Sequence, residues 1–158
     1  MATPNSSFVA NQVLTASQQN NFPFGVISRT YNTAAIAIVN STTETSFFTS
    51  PAFTPIAGRL YRCTYSIGYV VKINNGGNIN IRMRKNNTTG TILNDSVYSS
   101  LGVNVYVPFS TTVFLTSTEM GTSSFTPVVC IVANTSGFEA SNTGDYHGTI
   151  LFEDIGLA

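Results

Sequence analysis

The chain has 158 residues, a length that suits one domain with a substantial hydrophobic core. Only 9% of its residues are charged, far below the roughly 25% typical of soluble domains, and seven basic residues balance seven acidic ones. So neutral a chain is unsuited to electrostatic capture of nucleic acid or of an anionic membrane, and it does little to keep its own copies apart.

The N-terminal segment 1–23 is unlike the rest of the chain, because it is polar and rich in turn-forming residues. It has neither the basic region nor the apolar run of a secretory signal. Thr15 and Gln18 match a capping box, so we expect one short helical turn before a break at Phe22 and Pro23. The segment is too small to fold alone. We predict an extended N-terminal arm that is either disordered or laid across a neighbouring subunit.

Residues 24–158 show the pattern of β-strands throughout. The clearest strand is predicted between Tyr61 and Ile73, where apolar and polar residues alternate. Its predicted inward face is Tyr61, Cys63, Tyr65, Ile67, Tyr69, Val71 and Ile73, and its predicted outward face is Arg62, Thr64, Ser66, Gly68, Val70 and Lys72. The Asn and Gly residues at 74–77 predict a hairpin turn into a strand over 79–84, with its apolar side chains inward. A second turn is predicted at Asn86–Gly90.

Shorter strands are predicted on both sides of this pair. They cover residues 26–31, 34–39, 47–53, 103–109, 112–115, 127–133 and 149–153. The most apolar run, 33–39, is far shorter than the roughly 20 residues that a membrane-spanning helix needs. Turn signals separate the later strands at 120–121, 136–137 and 143–145, and no helix of ordinary length is indicated after the arm. Short strands at this spacing are typical of an all-β fold, so we predict an antiparallel β-sandwich, jelly-roll-like, over 24–158.

No residue pattern indicates a catalytic, cofactor or metal site. His147 is the only histidine, no nucleophile elbow is present, and the adjacent Glu153 and Asp154 point to opposite faces of a strand. Cys63 and Cys130 lie in apolar strand-like runs, which favours two reduced core thiols and leaves a disulfide open. We therefore expect a protein that is not an enzyme and that uses no cofactor.

Three segments resemble a signature of tailed-bacteriophage structural proteins. Residues 13–20 (VLTASQQN) and 22–27 (FPFGVI) are similar to an arm of the form G-x-V-L-T-A-A-x-x-N followed by x-P-x-G-V-V. Residues 55–62 (PIAGRLYR) resemble the segment x-x-A-G-R-R-Y-R at the start of a long strand, and residues 150–158 (ILFEDIGLA) resemble the terminus L-x-V-E-D-I-G-P-A. The order matches and nearly the whole chain is spanned, although Asn11 and Leu157 stand where the family has Gly and Pro.

The resemblance implies a virion component, made in the host bacterial cytoplasm, of the minor tail, fibre or capsid-decoration type. The arm residues that we expect to contact a neighbour are Val13, Leu14, Thr15, Gln18, Asn20, Phe22 and Pro23. We also hypothesise that Arg59 or Arg62 pairs with Glu153 or Asp154, either within the domain or across a subunit seam. The basic residues at 82, 84 and 85 fit a solvated strand face better than a phosphate site.

Two functions from different classes fit these observations. The first is an assembly or decoration protein that forms a symmetric homo-oligomer, a trimer by analogy with other phage appendages, and contacts other capsid or tail proteins. The second is a receptor-binding fibre module, in which Tyr and Asn side chains on loops at Asn86–Gly90 or Ser136–Asp145 bind host surface glycans. The short chain favours assembly, because it leaves little room for both a shaft and a tip.

Overall fold

A computed structural model describes residues 22–32, 36–39, 42–73, 77–99, 102–134, 137–142 and 147–158. This part of the chain is almost entirely β-structure. Its strands are β1 Gly25–Asn32, β2 Ile36–Val39, β3 Thr45–Thr49, β4 Arg59–Lys72, β5 Ile79–Lys85, β6 Ile92–Tyr98, β7 Tyr106–Thr116, β8 Pro127–Ala133, β9 Phe138–Asn142 and β10 Gly148–Leu157. One short helix, α1 Ser117–Met120, follows β7. The arm residues Val13, Leu14, Thr15, Gln18 and Asn20, and the helical turn predicted among them, lie outside the described residues.

The strands form two antiparallel sheets that face each other. One has the order β1-β10-β4-β9-β2 with β7 on the other side of β4, and the other has the order β3-β8-β5-β6. Strand β4 pairs with β10 along its first half and with β9 along its second, so β9 and β10 act as one interrupted strand. Strands β1 and β2 pair with β10 and β9 in the same way. With these two interruptions, the arrangement is the eight-stranded jelly roll, and the predicted all-β sandwich is confirmed.

The long strand β4 follows the predicted alternation only as far as Ile67. Between Ile67 and Val70 the register with β7 shifts, and Val70 is buried in the core although the pattern placed it outside. A β-bulge adds one residue to a strand and so reverses which side chains face inward. The buried Asn142 side chain accepts a hydrogen bond from Gly68 N at 2.9 Å inside this irregular stretch. Ile73, predicted inward, is exposed at the end of the strand.

The hairpin predicted at residues 74–77 is wrong. Strand β4 belongs to the larger sheet and β5 to the smaller one, so the connection crosses from one sheet to the other. Asn and Gly signal that the chain can turn, but they do not specify which strand becomes the partner. The turn at Asn86–Gly90, in contrast, does join the paired strands β5 and β6, with Asn86 at a φ of 68°.

Other boundaries differ from the predictions for identifiable reasons. The two strands predicted at 103–109 and 112–115 are the single strand β7, in which Pro108 is tolerated because β7 pairs with β4 alone in this sheet and so lies at its edge. The strand predicted at 47–53 is β3, which ends earlier, and Phe53 makes only an isolated bridge with Phe125. Strands β6 and β9 were missed because neither has a regular apolar alternation.

The hydrophobic core lies between the two sheets and is rich in aromatic rings. Phe53, Phe125 and Phe152 contact one another with ring centroids 5.2–5.6 Å apart, and Tyr61 packs against Phe53. Side chains at alternate positions of β5, predicted inward at 79, 81 and 83, complete the opposite wall. The core closes below α1, whose Thr116 and Glu119 form the capping box that this structure does show.

Candidate functional site

The most distinctive polar site is a buried ion pair between the start of β4 and the end of β10. Arg59 Nε donates to Asp154 Oδ2 at 2.8 Å, and Arg59 Nη2 donates to Asp154 Oδ1 at 2.5 Å. The side chains are only 2% and 0% exposed. Asp154 Oδ1 also accepts from Gly156 N at 2.9 Å, where the register between β10 and β4 shifts. A bidentate pair with this burial fixes the two strands in one geometry.

The same arginine contacts the first residues that the structure describes. Arg59 Nη2 donates to the Phe22 carbonyl oxygen at 2.6 Å, and the guanidinium lies over the Phe24 ring, 4.5 Å from its centroid. Of the predicted arm residues, Phe22 and Pro23 are the ones that the structure describes, and both are exposed. Arg59 therefore fixes the position of Phe22 and Phe24 by hydrogen bonding and by stacking.

A second predicted pair lies next to the first but on the surface. Arg62 Nε donates to Glu153 Oε2 at 2.8 Å, and the two side chains are 46% and 20% exposed. The Arg62 guanidinium holds the pKa of Glu153 below its usual range, chiefly through this hydrogen bond. Both ion pairs therefore lie within one chain. The Arg59–Asp154 pair is on the buried side of β4 and β10, and the Arg62–Glu153 pair is on their exposed side.

This surface pair is part of the outer face of the larger sheet. The register sets Val26, Glu153, Arg62 and Phe114 side by side in one row across four strands. In the neighbouring row, Thr64 and Thr112 are hydrogen-bonded at 2.9 Å, and the exposed Arg29 stands at the β1 end. Val26 and Phe114, at the two ends of the row, are 60% and 58% exposed. The face is therefore poor in charge and carries large apolar side chains at its margins.

The outer face of the smaller sheet carries a charge network that the sequence did not reveal. Glu44 accepts hydrogen bonds from Arg82 and Arg84, and Arg82 also donates to Asp95 at 2.9 Å. The hydrogen bond from Arg84 is the largest cause of a lowered pKa at Glu44. Arg82 and Arg84 are therefore paired with acids, whereas the alternation had predicted a solvated strand face. Glu44 stands just before β3, far from both arginines in sequence, so no local pattern marks it.

The two cysteines lie on opposite sides of the smaller sheet, and both are free thiols. Cys63 points into the core, with its Sγ donating to Met83 Sδ at 3.5 Å. Cys130 lies directly opposite Arg82 on β5, on the outer face and beneath the Glu44 network. Burial raises the pKa of Cys130 to about 11 and that of Cys63 further. This placement fits the predicted reduced thiols.

Among the described residues, no three His, Cys, Asp or Glu side chains are close enough together to share a metal ion. None of the helices in the same ranges is long and apolar enough to cross a membrane. The turn at Asn86–Gly90, a predicted glycan loop, uses its side-chain oxygens internally: Asn86 Oδ1 accepts from Thr126 N and Asn87 Oδ1 from Thr89 N, each at 2.9 Å. Most of the other predicted loop, 136–145, lies outside the described residues.

Comparison with known proteins bears on the fold. Neither a family model nor a curated protein matches the sequence. Among solved structures, a chain from the Gt strain of infectious bursal disease virus is 10% identical, with a TM-score of 0.51 over 99% of this chain and 43% of that one. This chain thus spans less than half the length of that viral chain. At such low identity the likeness concerns the fold alone, and it supports the two-sheet sandwich.

Two further solved structures are similar at lower TM-scores. The VP2 subviral particle of infectious bursal disease virus is 10% identical, with a TM-score of 0.45 over 82% of this chain and 37% of that chain. A protein of the disulfide-linked pili that form Bacillus endospore appendages is 13% identical, with a TM-score of 0.40 over 94% of this chain and 100% of that one.

Proposed function

We propose that this chain is a non-enzymatic structural protein of a tailed-bacteriophage particle. It assembles as a symmetric homo-oligomer on the exterior of the virion, as a capsid-decoration or minor tail component. The observation that carries the proposal is how the chain uses its carboxylates. Within the described residues, each of them accepts a hydrogen bond from the same chain: Glu44, Asp95, Glu119, Glu139, Glu153 and Asp154.

Because its described carboxylates are already hydrogen-bonded within the chain, the surface is suited to burial against another subunit. Large apolar side chains such as Phe114, Val26 and Tyr106 remain exposed, while hydroxyl pairs occupy the rows between them. Burying such a face desolvates no unpaired carboxylate, and the exposed Arg29 at its β1 edge is the charge that a partner surface would have to match. Internally paired acids are also unsuited to catalysis, which needs a carboxylate facing a substrate.

The phage assignment has its own support in the arrangement of the three resembling segments. The segment at 55–62 supplies Arg59 and Arg62, and the segment at 150–158 supplies their partners Asp154 and Glu153. The segment at 22–27 meets the same site through Phe22 and Phe24. Residues of the three resembling segments, which are far apart in sequence, therefore meet at one site around the two ion pairs. This is expected if the three segments serve one function.

The oligomer is tested by size-exclusion chromatography with light scattering on the purified full chain. We expect a species of defined multiple mass, and we expect Phe114→Asp to shift it toward the monomer because a charge would be buried at the seam. Thr118→Asp is the matched control, since Thr118 is exposed on α1 rather than on the sheet face. A strictly monomeric parent protein would contradict the proposal.

The location is tested on the particle itself. An antibody or a fused label on this chain should decorate the shell or the tail in negative-stain images of the encoding phage. Deletion of residues 2–21 should abolish incorporation while circular dichroism still reports a folded β-protein. Normal incorporation of the truncated chain would show that the arm has no role in attachment.

One observation favours the second function, a receptor-binding module for host surface glycans. The Tyr106 ring is 64% exposed and packs edge-on against Tyr69, with centroids 5.1 Å apart, while the Tyr69 hydroxyl donates to Glu139 at 2.8 Å. An exposed ring beside a carboxylate is a common platform for sugars. A glycan array with the parent chain and with Tyr106→Ala separates the two functions, because only an adhesin gives a signal that this substitution removes.

A further inference from the structure

Four residues whose ring or backbone adjoins Arg59 have exposed apolar side chains, and we call them the arm-root patch: Phe22, Phe24, Ile56 and Leu157. Each is tied to Arg59 by a separate contact. Its guanidinium meets the Phe22 carbonyl and the Phe24 ring, its backbone N donates to the Ile56 carbonyl at 3.3 Å, and its backbone faces Leu157 across β4 and β10. The four side chains are 42%, 50%, 49% and 45% exposed.

The patch is large enough to require an explanation. Four half-exposed side chains of this size present on the order of 300 Å² of apolar surface, comparable with the largest apolar patch of a typical soluble monomer, which is often functional. The charges at its centre, Arg59 and Asp154, are already buried and paired. The patch therefore favours an apolar, uncharged occupant.

We infer that the arm-root patch binds residues 1–21 from a second copy of the chain. The inference rests on the proposed function, which it deepens by naming the surface that receives the arm. Residues 1–21 contain no Asp, Glu, Lys or Arg, and they contain two adjacent apolar pairs, Phe8-Val9 and Val13-Leu14. The composition of the arm thus matches the surface in both respects.

The reach of the arm favours a second copy over the same copy. Twenty-one residues span up to about 70 Å when extended, whereas a domain of this size is roughly 35–40 Å across. The described chain begins at Phe22 inside the patch itself, so the arm leaves from the surface that it would cover. Covering its own patch would need a sharp reversal, whereas the equivalent patch on a neighbour is within direct reach, and repetition of that contact closes a symmetric ring.

The test uses two full-length variants, Leu14→Cys and Ile56→Cys, co-expressed with tags of different size and treated with a short bismaleimide. Native Cys63 and Cys130 are both fully buried, so they give little background. We expect a cross-linked species with the summed mass of the two differently tagged chains. Leu14→Cys paired with Thr112→Cys is the control, because Thr112 is exposed on the sheet face away from the patch, and it should give at least about tenfold less product.

Each outcome decides the inference. A product that forms only within one chain, in a variant carrying both cysteines, shows that the arm covers its own patch and overturns the inference. An oligomer without the cross-link also overturns it while the proposed function stands, and a monomeric protein removes both. As a second measurement, Leu14→Asp should weaken self-association by about 10- to 100-fold if the arm leucine is buried on a neighbour.

Discussion

The buried pair between Arg59 and Asp154 should respond to neutralisation far more strongly than the surface pair beside it. Asp154→Asn keeps the size of the side chain but turns one acceptor into a donor that faces the guanidinium. Arg59 then stays buried without a counter-charge, since both partners are at most 2% exposed. Removing one partner of such a pair typically costs about 3–5 kcal/mol of unfolding free energy.

The expected change in melting temperature follows from the size of the domain. The roughly 120 residues that the structure describes give an unfolding entropy of about 0.25 kcal/mol/K near the midpoint, so the loss corresponds to a Tm lower by about 12–20 °C. Glu153→Gln is the matched control one residue away, because its partner Arg62 is 46% exposed and solvent screens the pair. That variant should melt within about 2 °C of the parent.

Thermal unfolding followed by circular dichroism in the far ultraviolet distinguishes the two variants. If Asp154→Asn and Glu153→Gln melt within about 3 °C of each other, the buried pair does not fix the two strands in one geometry. The double variant Arg59→Met with Asp154→Leu provides an internal check. It leaves no unpaired buried charge, so it should recover much of the lost stability even though the bond to the Phe22 carbonyl is gone.

Three further predictions concern other parts of the fold. Glu44 has a lowered pKa in the folded protein because Arg84 and Arg82 hydrogen-bond to it; Glu44→Gln should therefore lower the Tm by roughly 3–6 °C at pH 7, and the difference should vanish as the pH falls through the folded pKa, in melts from pH 7 to pH 2. Gly90→Ala should destabilise strongly, because a Cβ would lie 1.7 Å from the Lys85 carbonyl oxygen, whereas Gly25→Ala, with open space, should cost only about 1 kcal/mol for its positive φ in urea titrations. With their raised pKa values, Cys63 and Cys130 should stay unreactive toward a thiol reagent at pH 7 until urea unfolds the chain, so early labelling of either would contradict their burial.

Strands could be predicted from the sequence where a local pattern is enough to recognise them, without knowledge of the strand with which they pair. Strand β8 was predicted with its exact bounds from a continuous apolar run, and the inward residues of β5 were correct because that strand has a regular period of two. The class of fold followed from the number and spacing of such runs. What local pattern does not contain is the identity of the partner, so the crossing between sheets after β4 was read as a hairpin.

Two polar features show the same difference between what the local sequence indicates and what strand pairing determines. The resemblance drew attention to Arg59, Arg62, Glu153 and Asp154, but it did not indicate which arginine meets which acid. The register decides that, because the shift between β10 and β4 at Asp154 and Gly156 turns the Asp154 carboxylate toward Arg59 while Glu153 faces Arg62. The Glu44 network had no signal at all, since it joins a residue before β3 to two residues on β5 across strand β8.

The positions of the few charged residues indicate that they fix the geometry of the strands rather than keep the protein soluble. Surface pairs contribute little stability, and a soluble monomer gains more from unpaired charges that repel its copies. Here the strongest pair is buried where the first described residue, the long strand β4 and the last strand β10 meet, and it bonds to the Phe22 carbonyl at the arm root. If residues 1–21 form the proposed arm, this bond fixes the direction in which the arm starts, because Phe22 is held by Arg59. Arg59→Lys should therefore preserve the charge yet loosen the direction of the arm, since an ammonium group cannot reproduce the planar bidentate contact. The oligomer of Arg59→Lys should be weaker than that of Arg62→Lys in light scattering, and equal oligomers would show that the pair has no part in directing the arm.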